Sequence, residues 1–254
     1  MISSTRNPRV AEALRLHKRA FRDEDRRFLV EGAQGVGEAL AADGLATLFT
    51  ADPLHPLAIA ARERAVEVLE VSEAVMERLT GTVTPQGLVG IAPFRDIALE
   101  ALPPAPNCVA VLHEVRDPGN AGTVLRSADA AGADAVVFAG SSVDPYNEKT
   151  VRASAGSLFH LPVVRGAGPS AAIALLRERG CAVYAMAADG PVDLWDADLE
   201  RPVAFVFGNE AQGLPPEVRA LADASVRVPI RGRAESLNLA AAATVCLFEW
   251  ARRR

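Results

Sequence analysis

Three short stretches in the second half of the chain concentrate side chains able to orient, charge or clamp a substrate. The first, HEVRDPGNAGTVLRSADAAG over residues 113–132, runs Asp117-Pro-Gly-Asn-Ala-Gly into a helical pattern that carries Arg126 one to two turns inside it. Asn120 offers an amide there, and Arg126 a permanent charge with a fork of donors suited to phosphate. The second, Phe207-Gly-Asn-Glu-Ala-Gln-Gly-Leu-Pro-Pro, ends an apolar run at Gly208, where backbone can approach a ligand closely, and sets the Glu210 carboxylate just beyond it. The third, Val228-Pro-Ile-Arg-Gly-Arg-Ala-Glu-Ser-Leu-Asn, turns through Gly232 and enters a long apolar helix by Ser236 and Asn238. Each stretch alone has an ordinary reading. Asn120 can cap a helix with Arg126 solvated outside it, Glu210 can cap the next helix, and Ser236 can cap the last. None is a dinucleotide loop, because Gly119 and Gly122 do not make GxGxxG.

The elements that must hold these loops alternate. Cys108–Leu112 reads as a buried strand, residues 120–131 as a helix closed by Gly132, and residues 135–138 as a strand. A strand at 161–164, a helix at 170–179 stopped by Gly180, strands at 182–185 and 203–207, and a helix from Leu237 to about Arg253 follow. Apolar strands alternating with helices imply a mostly parallel sheet covered on both faces, whose ligands sit beyond the carboxyl ends of the strands. The three loops lie at such ends. Residues 1–95 form a smaller α/β pattern, with helices near 33–42, 57–64 and 72–79 and strands near 47–50, 66–71 and 88–92. The proline-rich PFRDIALEALPPAPN over 93–107 separates the two, so the expectation is domains at 1–95 and 107–254.

Composition narrows the function. At 254 residues, half of them apolar, the chain has material for two globular cores. A net charge of −5 argues against a protein that coats nucleic acid indiscriminately, so contact with RNA must be local. Cys108, Cys181 and Cys246 form no CxxC pair, and neither His113 nor His160 has metal-like spacing, so no metal is expected. No apolar run is long enough to span a bilayer, and the opening MISSTRNPRV lacks a leader pattern; the expected location is the cytoplasm.

Taken together and in order, Asn120-x-Gly122-x-x-x-Arg126-Ser127-Ala128, Gly208-x-Glu210-x-x-Gly213-Leu214 and Pro229 followed by Ser236-Leu237-Asn238 resemble the three motifs of the SpoU family of RNA methyltransferases. Residues 1–95 are more loosely similar to the small substrate-binding domain of ribosomal-protein type found in many members, through Arg6-Asn-Pro-Arg9, Phe28-Leu-Val-Glu-Gly32 and Thr84-Pro-Gln-Gly87. The fold this implies is a small N-terminal α/β RNA-binding domain plus a C-terminal parallel-sheet methyltransferase domain tied in a trefoil knot. General topology rules disfavour knots, so the knot rests on the resemblance alone. The resemblance further implies S-adenosylmethionine held at Gly208, Val228, Ile230 and Leu237, and a homodimer whose active sites use both chains. Arg126 is the implied key residue, with Asn120, Glu210, Ser236 and Asn238 orienting it or the ribose. Family members often carry Ser where Ala240 stands here.

The expected RNA contacts are Arg6, Arg9, Arg15, Lys18, Arg19, Arg22, Arg26 and Arg27, eight basic residues against four acids over 6–27, with Lys149 and Arg152 as a second cluster. A solvated helix face in an arginine-rich chain is the plain alternative. The leading reading is transfer of a methyl group to a ribose 2′-hydroxyl of structured RNA, ribosomal before transfer RNA. A non-catalytic RNA-binding or ribosome-assembly factor on the same fold and an unrelated nucleotide-binding α/β enzyme stand beside it.

Overall fold

The computed structural model describes residues 1–81 and 85–254 as two compact units, Met1–Arg95 with Tyr146–His160, and Asp96–Pro145 with Leu161–Arg254. Of the Thr84-Pro-Gln-Gly87 match, Thr84 lies outside the described residues.

The first unit runs α1 (Pro8–Arg15), α2 (Arg19–Asp25), β1 (Arg27–Glu31), α3 (Gly32–Ala41), β2 (Thr47–Thr50), α4 (Pro56–Glu63), β3 (Glu67–Glu70), α5 (Glu73–Leu79) and β4 (Leu88–Pro93). Its four-stranded sheet has the order β1-β4-β2-β3, with β4 antiparallel to both neighbours and β2 parallel to β3. Helix starts follow local chemistry: Asn7 and Ser72 accept backbone N–H groups at the starts of α1 and α5, and Pro8 and Pro56 open their helices where no donor is needed.

A later piece of chain, Tyr146–His160, completes this unit. Tyr146 is fully buried, stacked on Phe94 with centroids 3.9 Å apart, and its hydroxyl accepts the Arg95 N–H at 2.7 Å. Beyond it lies helix α7 (Glu148–Ser154), labelled here by its place in the chain, since α6 falls in the second unit. Its Glu148 meets His17 Nδ1 at 2.5 Å, and its Arg152 meets Glu31 at 3.2 Å. The Glu148 hydrogen bond raises the His17 pKa above its ordinary value, against the opposing effect of burial. A raised folded value means this contact is fully present below the unfolded pKa of about 6.5 and fades as pH rises through the folded value. The first unit is therefore expected to melt at a higher temperature at pH 6 than at pH 8. In His17→Gln that difference should shrink, which calorimetry of both proteins checks.

The second unit continues with β5 (Asp96–Ile97), β6 (Cys108–His113), α6 (Pro118–Ala131), β7 (Ala135–Ala139), β8 (Val163–Ala167), α8 (Pro169–Glu178), β9 (Ala182–Met186), β10 (Val192–Asp193), β11 (Val203–Phe207), α9 (Pro216–Arg219), β12 (Ala224–Arg227) and α10 (Leu239–Arg252). Eight strands pair in the order β10-β12-β9-β11-β6-β7-β8-β5, every pairing parallel. Strands β6, β7 and β11 are buried along their whole length, as the unbroken apolar runs require. On one face Val109, Val111, Val137, Ile173 and Leu176 form the core, while α6 and α10 pack together with Ser127 and Thr244 hydroxyls 2.7 Å apart.

Successive strands β6, β7 and β8 advance one way along the sheet; β9 then re-enters on the far side of β11. A reversal of this kind opens a crevice at the carboxyl ends of the flanking strands. Two helix caps differ from the sequence reading. Asp117, accepting the Asn120 N–H at 2.8 Å, caps α6, so Asn120 lies inside the first turn with its side chain available. Asn238, not Ser236, caps α10 by accepting the N–H groups of Ala240 and Ala241 at 2.9 and 3.3 Å.

Candidate active site

The loops after β9, β11 and β12 and the start of α6 surround a crevice of about 570 Å³. Its walls are apolar at Met186, Ala187, Val226, Val228, Ile230 and Leu237, and polar at Asn120, Glu210, Gln212, Ser236 and Asn238. Ile230 and Leu237 are 37% and 41% exposed, apolar area that a ligand can cover. A smaller cavity of about 230 Å³ lies in the first unit beside Glu31, Gln34, Gln86 and Phe159, and none of the residues of the three motif loops of the second unit lines it.

Glu210 is the hub of the site. One carboxylate oxygen accepts the Arg116 N–H at 3.0 Å; the other accepts the Asp117 N–H at 3.0 Å and the Asn120 amide at 3.1 Å. Burial pushes this carboxyl up, but these bonds and that from its own N–H outweigh it, so the group stays below its usual range. A carboxylate so occupied is a weak base and a good anchor. Asn120 Oδ1 in turn accepts the Asn238 amide at 3.0 Å, so one continuous relay joins all three loops.

Asn209, which sequence reasoning missed, locks the second loop. Its Oδ1 accepts the N–H groups of Ala211 and Gln212 at 2.9 and 3.1 Å, and its Nδ2 donates to the Glu114 carbonyl at 2.9 Å. An Asn just past a strand end beside Gly is the pattern of such a turn and could have flagged it. Gly208 is there for space: a Cβ would overlap the Gly213 carbonyl and lie 2.5 Å from the Leu214 nitrogen. Met186–Ala188 were also passed over, although they run from the last residue of β9 off its carboxyl end.

The structure thus brings Asn120, Glu210, Ser236 and Asn238 together with Gly208, Val228, Ile230 and Leu237 around one crevice. It does not place Arg126 on that lining. Arg126 is exposed on α6, and among the described residues its guanidinium has no hydrogen bond or ion pair. Ala240 is buried and off the lining, so a hydroxyl there would not face the crevice.

The expected RNA contacts divide. Arg6 and Lys18 are exposed with no side-chain partner among the described residues. Arg9, Arg15, Arg19 and Arg27 are exposed but paired with Glu67, Glu24, Asp23 and Glu12, and Arg26 lies over the Phe94 ring. Such exposed pairs hold weakly and can exchange carboxylate for phosphate. Arg22 departs from the expectation. It is 3% exposed and donates to the Leu16 and His17 carbonyls at 2.9 Å, fastening the turn between α1 and α2. Arg152 is likewise committed, since it neutralises the nearly buried Glu31 and leaving would strand that charge. Lys149 is exposed on α7. Among the described residues no cluster of His, Cys, Asp or Glu could hold a metal ion, and no helix is long and apolar enough to cross a membrane.

A parallel α/β unit whose strand-end loops close on a half-apolar, half-polar crevice defines a binding domain for a nucleoside-sized ligand, without a phosphate loop. Residues 107–248 match the SpoU rRNA Methylase family, and residues 7–90 match the MRM3-like substrate binding domain. The chain belongs to the SpoU rRNA methylase family. It is 34% identical over 249 residues to the 23S rRNA (guanosine(2553)-2'-O)-methyltransferase RlmP of Bacillus subtilis, covering 97% of each chain. Among solved structures it resembles an AdoMet-bound rRNA methyltransferase from Sinorhizobium meliloti, with 38% identity, TM-score 0.90 and coverage of 99% of this chain and 97% of that one. The SpoU methyltransferase AviRb from Streptomyces viridochromogenes, in complex with AdoMet, is 30% identical with TM-score 0.90 and 98% of each chain covered.

Proposed function

We propose that this protein transfers a methyl group from S-adenosylmethionine to a ribose 2′-hydroxyl of structured RNA, ribosomal rather than transfer RNA. The observation that carries the reading is the Glu210–Asn120–Asn238 relay at the mouth of the crevice. Glu210, Asn120 and Asn238 are all present and joined in this chain, which favours catalysis over a purely RNA-binding role on the same fold. Full-length relatives acting on 23S rRNA support the choice of substrate class.

The lining fits the cofactor: apolar walls at Val228, Ile230 and Leu237 suit an adenine ring, and the polar side suits its charged end. When bound, it supplies an electrophilic sulfonium methyl. The protein's part is to hold a ribose hydroxyl in line and help it lose its proton, and positioning contributes most of the gain. A guanidinium keeps its proton at any physiological pH, so Arg126 clamps the adjacent phosphate and lowers the hydroxyl's pKa electrostatically. Glu210 is no base in this scheme. It holds the first loop so that Asn120 and Asn238 can face the ribose, with Ser236 at the crevice edge.

Because Arg126 is off the crevice lining of its own chain, the reading includes a homodimer in which each site takes Arg126 from the partner. The half-exposed Phe248 on α10 supports a covered helix face there. The trefoil knot, a first unit that grips RNA through Arg6, Lys18 and the exchangeable arginines, and a cytoplasmic location belong to the same reading.

The test is transfer of labelled methyl from S-adenosylmethionine to unmethylated ribosomal and transfer RNA, followed by digestion to separate ribose from base products. Ribose label on ribosomal RNA is expected. Label on bases, or cofactor binding without transfer to either RNA in the presence of dimer, would overturn it.

A further inference from the structure

The segment between Ile230 and Ser236 carries two arginines, Arg231 and Arg233, that the relay and the cofactor lining do not use. Both ends of this segment line the crevice, while residues 231–235 are all exposed. Among the described residues neither guanidinium has a hydrogen bond or an ion pair. Other arginines of the same unit are committed: Arg177 to Asp223 at 2.8 Å, Arg219 to Asp189 at 3.0 Å, Arg227 to Asp193 at 2.5 Å and Arg253 to Glu249 at 2.8 Å. In a chain of net charge −5, carboxylate partners are in surplus. Two guanidiniums within three residues, in a segment 230–236 whose one acid is Glu235, make a local positive rim on a chain of net negative charge.

We propose that Arg231 and Arg233 form a phosphate-binding rim for the RNA strand that delivers its ribose to the crevice. This rests on the methyltransferase reading and adds a substrate contact outside the first unit. The chemistry fits a polyanion better than the cofactor. Exposed side chains on an irregular segment, with no buried carboxylate to neutralise, favour a ligand that brings its own negative charges at regular spacing. The Gly232 between them leaves that stretch of backbone without a side chain that could obstruct the approach, since a Cβ there would meet nothing within 4 Å.

The experiment compares wild type, Arg231→Ala/Arg233→Ala and Arg231→Lys/Arg233→Lys for binding of in-vitro-transcribed, unmethylated 23S rRNA across a salt series, alongside cofactor affinity and sedimentation. In the alanine pair, RNA affinity should fall about tenfold or more at ~0.15 M salt. The slope of log affinity against log salt should flatten by about 1.5, the loss of two phosphate contacts. Cofactor affinity should hold, and the lysine pair should restore the slope, because counterion release reads charge. An unchanged slope would overturn the proposal. So would a fall in cofactor affinity equal to that in RNA affinity, or a changed sedimentation coefficient with RNA binding intact, which would assign the arginines to the cofactor or to a subunit interface. If wild type itself shows no salt-dependent RNA binding, the methyltransferase reading fails first and this rim fails with it.

Discussion

Replacing Arg126 with alanine is expected to lower methyl transfer by about 100- to 1,000-fold, the usual cost of removing one preorganised charge from a developing oxyanion. Affinity for S-adenosylmethionine should stay within about threefold, since Arg126 is absent from the crevice lining. Single-turnover transfer and calorimetric cofactor titration on the same preparation separate the two. Equal losses in both would remove Arg126 from the substrate and return it to the fold. The two-chain arrangement adds a sharper check. Mixing the Arg126→Ala protein with a Glu210→Ala protein should recover up to about a quarter of wild-type activity, because mixed dimers would hold one intact composite site. No recovery, with exchange of subunits demonstrated, would mean that each site uses its own Arg126.

The second large effect is expected at Gly208. A methyl group there collides with backbone on the far side of the loop, at Gly213 and Leu214, and backbone cannot swing away as a side-chain end can. Overpacking of this kind costs about 2 to 3 kcal/mol, and here the strain falls on the loop that shapes the crevice. Gly208→Ala should therefore lose at least tenfold in cofactor affinity, and more in transfer, as the Asn209–Gly213 pairing opens. A crevice loop with little role in binding would show the same melting loss with cofactor affinity unchanged. Titration against a thermal melt tells these apart.

These two sites illustrate different degrees of legibility. The spacing Gly208-x-Glu210-x-x-Gly213 marked a strand-end turn at once, and apolar runs marked β6 and β11 close to their observed bounds. The role of Glu210 was not readable. A carboxylate after a strand can be base, cap or anchor, and only its four hydrogen bonds, from residues 90 or more positions away and from its own N–H, decide for anchor. Arg22 shows the opposite failure. In sequence it is one of eight basic residues within a short span; in the fold its guanidinium is turned inward onto two carbonyls that the α1–α2 turn leaves without helical partners. Nothing local distinguishes it from Arg19 three positions earlier.

What the sequence determined by itself is whatever depends on near neighbours: the alternation of strands and helices, the helix stops at Gly132 and Gly180, the order and spacing of the three motif loops, and through them the family. What the tertiary structure decided depends on residues distant along the chain. Tyr146–His160 packs into the first unit although it is encoded beyond the linker, because Tyr146 finds its aromatic partners at Phe28 and Phe94 and Glu148 its partner at His17. Asn238 caps α10 in place of Ser236 because its amide is also drawn to Asn120, 118 residues earlier. The physical reason is common to both. Hydrogen bonds and stacking have a range of a few ångströms, and which groups come within that range is set by how the strands order in the sheet, which no local pattern specifies.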